Sequence, residues 1–507
     1  MRAVPLIATA LVVGAVVVAV PAARSNQPPG RLPALAAPAP AVPDAPYGVG
    51  RANFAHRAST SCAAASCHGG GDVGKVGSEH STWVREAVPS ATSDPHARSY
   101  SVLFNPVSVR MGKLLGYDGK KEPLPHQNKK CLACHAIDSP SEPETRDQIL
   151  SEGVGCGGCH GPADKWIAEH TLPSWKARSN QEKWALFGFV PTKNVVARAL
   201  NCASCHVGDG DRDMNHDMIA AGHPRLAFEP ARFHHQPDYR THWTEKGNPR
   251  DFEVRLWVVG QAATLRAAAN LLAERAAKAQ KNEPSHPWPE FSGYSCYACH
   301  QGIGDPELKG QLSDTSRPVG VPGWEVWSNA AARVAVESCG LAFPGISSPK
   351  LTEVAKLRTL MESRRAPAAG DVIAQARAAV AELDTFLAEL QAAEDRGAGA
   401  VSADAPRAIA NRLAANALSA DGKRLADHDW DALAASYLGA AAMYHAAGGR
   451  ADATWEAPLR GVGATLRFPT AKDAAFNSPA GFDRKKLDEI RNSFDVLRTK
   501  TGTPEGK

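Results

Sequence analysis

After its first twenty residues the 507-residue sequence has no apolar run long enough to span a bilayer, which excludes a polytopic membrane protein. It has no run of Lys or Arg interleaved with aromatics, and the formal net charge is only +4, so no nucleic-acid partner is expected. Strict strand–helix alternation is missing, which argues against a thioredoxin-like or doubly wound fold. Scattered cysteines are also scarce. Of eleven, only Cys339 stands alone, and the other ten fall into tight pairs, so the usual disulfide framework of an exported chain is not the reading here. Cys339 is expected to be a buried structural thiol.

The N-terminus has the shape of an export signal. Met1-Arg2 precedes an apolar stretch from Val4 to Val20 and then Pro21-Ala22-Ala23, so residues 1–22 read as a signal peptide cut after Ala22. An uncleaved anchor is the alternative. Residues 23–50 are rich in Pro and Ala and read as a tether. Residues 51–304 hold every paired cysteine and sixteen of the eighteen histidines, with frequent Gly and Pro. Residues 305–507 turn Ala-rich with helical spacing. The expected fold is all-α with little β: a cofactor-wrapping domain at 51–304 followed by a helical bundle.

One long helix is expected inside the first of these domains, starting at Asn248-Pro249 and ending near Asn282, with Val254, Val258, Leu265, Ala269, Leu272 and Ala276 on its stripe. Three further stripes lie beyond residue 305. The first is Ala376, Ala379, Leu383, Phe386 and Leu390, with Asp371 as the expected cap. The others are Leu433, Tyr437, Ala441, Tyr444 and Leu487, Ile490, Phe494, Leu497. These read as core positions rather than ligands.

The chemistry is carried by the cysteine pairs. Cys131-Leu-Ala-Cys134-His135, Cys156-Gly-Gly-Cys159-His160, Cys202-Ala-Ser-Cys205-His206 and Cys296-Tyr-Ala-Cys299-His300 share one pattern, and Cys62-Ala-Ala-Ala-Ser-Cys67-His68 is a variant with a wider gap. Two thiols at this spacing add to the two vinyl groups of one haem, and the next residue, a histidine, reaches the iron. About five covalent haems c are therefore expected. Zinc would not require a histidine after every second cysteine. Five ferric haems at roughly −1 each would take the net charge from +4 to about −1, so partner surfaces belong to the loaded protein.

Eleven other histidines in the same region are ample for second axial ligands. His216 and His223 lie seven apart, roughly 10 Å along a helix. They cannot clamp one iron. Either they reach two neighbouring haems, or one is a ligand and the other bonds a propionate. Met214 and Met218 are weaker candidates.

Three passages between Arg51 and His206 resemble the multihaem cytochrome c-554 family: Ser93-Asp-Pro-His96-Ala-Arg-Ser99, Gly153-Val-Gly-Cys156-Gly-Gly-Cys159-His160-Gly-Pro162, and His170 ten residues past His160. The resemblance implies that His170 ligates the haem of His68 and that His96 ligates the haem of His160. It implies a five-coordinate haem at His135, although His126 is near enough to fill that place. The roles of His216, His223, His234, His235 and His242 are not settled by it. An exported, periplasmic electron carrier with donor and acceptor redox proteins is the expected function. The alternatives are an oxidoreductase of small nitrogen or sulfur compounds at an open haem, or an electron-transfer subunit of a membrane-associated respiratory complex. A pentahaem relative with its own partner surface accounts for the fifth motif and the long C-terminal extension.

Overall fold

The computed structural model describes residues 46–47, 54–72, 75–84, 94–138, 143–235, 245, 248–281, 286–300, 317–318, 320–419, 422, 425, 429–449, 453–466 and 486–502. The expected signal peptide and almost all of the tether lie outside them. The described chain is all-α, with no strand beyond two isolated bridges, Tyr294 with Trp324 and Leu418 with Leu425. No helix among the described residues is long and apolar enough to cross a membrane.

The helices of ten residues or more are α1 (Val195–His206), α2 (Pro249–Gln280), α3 (Val326–Glu337), α4 (Thr352–Met361), α5 (Ala369–Asp395), α6 (Ala405–Asn416), α7 (Trp430–Ala446), α8 (Ala453–Leu466) and α9 (Leu487–Thr501). Shorter helices and 3-10 turns carry most of the region before α1.

Helix α2 begins where its sequence says it should. Asn248 caps it by accepting from the Arg250 amide, and Pro249 occupies the first turn. All six stripe residues are buried, yet Trp257, Val259, Ala262 and Ala263 on other faces are buried too. A helix apolar all round belongs at the centre, and α2 packs against α1, α3, α5 and α7. One continuous core follows, running from Val195 through Trp257, Leu383 and Trp430 to Leu497. Asp44–Lys507 accordingly clusters as a single compact unit.

The C-terminal stripes hold with two corrections. Ala376, Ala379, Leu383, Phe386 and Leu390 are buried on α5, and Ile490, Phe494 and Leu497 on α9. The α5 helix starts at Ala369, so Asp371 lies in its first turn, and the N-cap Ala368 has no side-chain bond. On α7 the deepest residues are Trp430, Leu433, Ala434, Ala440 and Met443, while Tyr437 and Tyr444 are only partly buried. A helix this rich in Ala has no strongly polar side, so spacing alone misplaces its stripe. Cys339 is buried as expected, with its sulfur 3.5 Å from the Ser348 hydroxyl.

The region before α1 is different. Its buried apolar residues fall into clusters of three or four, such as Leu103, Leu132, Ala136 and Leu150, or Ala163, Trp166 and Trp175. The tether was expected to run to residue 50, but Tyr47 is already buried. Its amide donates to Gln391 Oε1 at 2.8 Å and its hydroxyl to Asp395 at 2.8 Å, both on α5.

Candidate functional site

Four of the cysteine motifs sit on helical turns, with their two cysteines three residues apart. The Lys129–His135 helix is capped by Asn128, which accepts from Lys130 N, and α1 by Asn194, which accepts from Val196 and Ala197. Cys156–His160 and Cys296–Cys299 are one-turn helices, and the wider Cys62 motif is a 3-10 turn followed by a tight bend.

The glycines around Cys156 have a backbone reason. Gly153 has φ +68°, and a Cβ there would stand 2.5 Å from the His96 carbonyl. That carbonyl accepts the Val154 amide at 3.0 Å, so the Gly-Val-Gly lead threads directly past His96. Gly161, at φ +80°, leaves room for the Gly188 carbonyl, 2.2 Å from where its Cβ would be.

Four motif histidines each face a histidine from elsewhere in the chain. Ring centres are 6.2 Å apart for His68 and His170, 6.0 Å for His96 and His206, 6.2 Å for His135 and His223, and 6.5 Å for His216 and His300. Two imidazoles bound end-on to one metal at about 2 Å, each ring centre roughly 1.1 Å beyond its nitrogen, stand about 6 Å apart. The near-parallel rings of His68 and His170, 6.2 Å apart and tilted by 16°, match that spacing. Four such spacings, each joining one motif histidine to one other, fit iron between two axial ligands.

Hydrogen bonds on the other ring nitrogen aim these rings. Nδ1 of His68 meets Glu79 at 2.8 Å, that of His96 meets Asp94 at 2.9 Å, and that of His135 meets the Ser99 carbonyl at 2.9 Å. Nδ1 of His170 meets the Ile167 carbonyl at 2.6 Å, and that of His223 the Pro224 carbonyl at 2.7 Å. With Nδ1–H donating to these acceptors, Nε2 is the nitrogen left for a metal. Burial, with His96 alongside, holds the His206 pKa down to about 4, and burial lowers that of His135 as well. Both are therefore neutral near pH 7, the form a ligand requires.

The structure rearranges two pairings that the family resemblance implied. His96 has its ring centre 6.0 Å from that of His206, where the resemblance implied a pairing with His160. His135 faces His223, so the five-coordinate place implied there has an imidazole opposite it. His126 is not the group that fills it, being stacked on Phe104 at 4.4 Å. His160 lies nearly parallel to Phe189 at 5.9 Å. His68 and His170, paired by the resemblance, have ring centres 6.2 Å apart. The two histidines seven apart divide their work, since His216 faces His300 and His223 faces His135 from opposite ends of the His216–Ala221 helix. His234 packs on Arg198 and Phe252, His235 bonds Glu253, and His242 lies outside the described residues.

The cysteines are arranged between motifs, not within a zinc cage. Cys62 contacts Cys156, Cys134 contacts Cys205, and Cys159 lies near Cys202. All eleven are free of disulfides, and no four-thiol cluster occurs among the described residues. Sequence reasoning missed the acceptors Glu79, Asp94 and Ser99. Asp94 alone carried a local signal, an Asx cap two residues before a histidine.

Paired thiols, an adjoining histidine and a second imidazole across a haem-sized gap define a c-type cytochrome, with covalently bound haem c and an electron-transfer role. One segment is similar to a known family: residues 86–161 match the family model described as cytochrome c554 and c-prime. Neither the curated proteins nor the solved structures give a match to the chain.

Proposed function

We propose that this chain is an exported pentahaem electron carrier whose haem sites form one continuous series. The observation that carries the reading is the set of four motif-to-distal imidazole pairs at 6.0–6.5 Å. Cysteine contacts support an order of sites. The Cys62 motif adjoins the Cys156 motif, which adjoins the Cys202 motif, which adjoins the Cys131 motif. The His216–Ala221 helix then joins the Cys131 site to the Cys296 site through His223 and His216.

In each site Cys62 and Cys67, Cys131 and Cys134, Cys156 and Cys159, Cys202 and Cys205, or Cys296 and Cys299 would hold the haem edge. His68, His135, His160, His206 and His300 would be the proximal ligands, with His170, His223, His96 and His216 opposite the first, second, fourth and fifth. When bound, haem supplies reversible one-electron chemistry at its iron. The chain's own part is to fix the imidazoles through their Nδ1 acceptors, so that ligand geometry changes little between oxidation states. Export rests on the family and on the expected N-terminal signal. The donor and acceptor are redox proteins meeting the loaded surface.

Mass spectrometry of the mature holoprotein should find five covalent haems. Replacing His223 by Ala should turn one low-spin iron high-spin in the electron paramagnetic resonance spectrum with every haem retained. An unchanged low-spin count in that variant would refute the second-site assignment. Free thiols at the motifs would refute the whole reading.

A further inference from the structure

Outside the haem series, three metal-binding side chains from distant parts of the sequence converge. His235 follows the short Pro230–His234 helix, Glu253 lies in the first turns of α2, and His445 is near the end of α7. Their ligand atoms all lie within 4.8 Å of one another. His235 Nε2 is 2.6 Å from Glu253 Oε2, and the His235 and His445 rings are 4.5 Å apart.

We propose that His235, Glu253 and His445 form a binding site for a divalent transition-metal ion such as Zn²⁺, separate from the haems. Two imidazoles and one carboxylate are a donor set that suits zinc and its neighbours and not Ca²⁺ or Mg²⁺, which prefer oxygen. Ligands about 2 Å from one ion stand roughly 3.3 Å apart, so His445 must approach by up to about 1.5 Å while the 2.6 Å contact of His235 with Glu253 opens slightly. The exposed His445 side chain can supply that movement by rotation, while buried Glu253 stays fixed by its place on α2. Solvent reaches the site from the histidine side, so water would complete the coordination.

The trio differs from the haem pairs in kind. No cysteine motif contributes to it, and its rings are in contact at 4.5 Å, where the haem pairs keep 6.0 Å or more. A carboxylate–imidazole hydrogen bond alone would account for His235 and Glu253, but not for a third ligand arriving from residue 445. The ion would tie the segment after the fourth haem motif to α2 and α7, clamping the haem-binding part of the chain to the helical part.

Titration calorimetry of the dialysed holoprotein with Zn²⁺, with elemental analysis, should find one tightly held zinc per chain beyond the haem iron. His445→Ala and Glu253→Gln should each weaken that binding at least tenfold and leave the reduced haem spectrum unaltered. His445 is exposed, so its replacement leaves the fold intact. Failure of the parent protein to bind zinc, or equal affinity in either variant, would overturn the proposal. Neither outcome touches the haem assignment, which the haem spectrum reads separately.

Discussion

The two halves of this molecule are built by different means. From α2 onward the chain has a single large apolar core holding Trp257, Phe386, Trp430 and Phe494 with almost no exposure. Before α1 the apolar clusters have only three or four members each. Their helices are short, and four of them are held at the start by the side chains of Asp94, Asn105, Asn128 and Ser179. In the helical half, α2 and α7 are capped by Asn248 and Asp429, but α3, α4, α5, α6 and α9 have no side-chain cap. Where side chains can pack, end caps are dispensable. Where the core is to be completed by a cofactor, local bonds must hold each turn ready for it.

The largest test of that contrast is to withhold haem. Protein made without haem attachment should lose amide-exchange protection across 54–194 almost completely, while α2 and α5 remain protected. Hydrogen-exchange mass spectrometry reads both halves in one experiment. Protection of both halves alike would mean that the small clusters suffice as a core.

A smaller effect is expected at the seam. Arg225 donates to both carboxylate oxygens of Asp431, at 2.7 and 3.1 Å, and both side chains are buried beside the Cys296 motif. Ser295, just before that motif, donates its hydroxyl to Asp429. Asp431→Ala leaves a guanidinium buried without its partner and should cost about 3–5 kcal/mol in denaturant unfolding. The Cys296 haem should be the first to change its spectrum as denaturant rises. Loss of stability without that spectral order would mean that the pair serves only the helical half.

A third effect depends on pH. Burial pushes the Glu229 carboxyl up to about 7 from its ordinary 4.5. Between those values the folded chain holds a proton that the unfolded chain has lost, so this group makes stability fall as pH rises through the window. Glu229 accepts from the Arg232 amide on one oxygen and from Gln261 on α2 on the other, and a glutamine keeps one of these acceptors without the titrating proton. Glu229→Gln should therefore flatten the decline between about pH 4.5 and 7 relative to the parent, measured as unfolding midpoints across that range. An identical slope in the variant would show Glu229 to be ionised throughout.

The sequence made the motif turns and the start of α2 legible because their signals are local: a thiol spacing, an Asn-Pro cap, a stripe of one period. It also placed His170 opposite His68 by family likeness. The pairings of His96 and His135 were not legible, since a distal ligand comes from wherever the fold brings an imidazole. His206 is 110 residues from His96 and His223 is 88 from His135. The Gly153 turn holds the His96 backbone beside the Cys156 motif through contacts that no spacing rule contains. The buried face of α7 was misplaced for the opposite reason, because alanine fits any face.

The smallest expected effect returns to the caps. Asn105 is exposed, and its side-chain oxygen accepts the Ser108 amide at 2.8 Å to start the Pro106–Leu114 helix beside the His135 site. Asp404 stands at the same position before α6 but makes no such bond, and α6 is anchored by buried Ile409, Ala410 and Leu413. Asn105→Ala should lower the opening free energy of its helix by about 1 kcal/mol, and Asp404→Ala should change that of α6 by less than about 0.5 kcal/mol. Residue-resolved amide exchange on the two variants makes the comparison within one chain. Equal effects at both positions would mean that end caps matter alike in the two halves, and that the scarcity of packing before α1 is not what its polar caps offset.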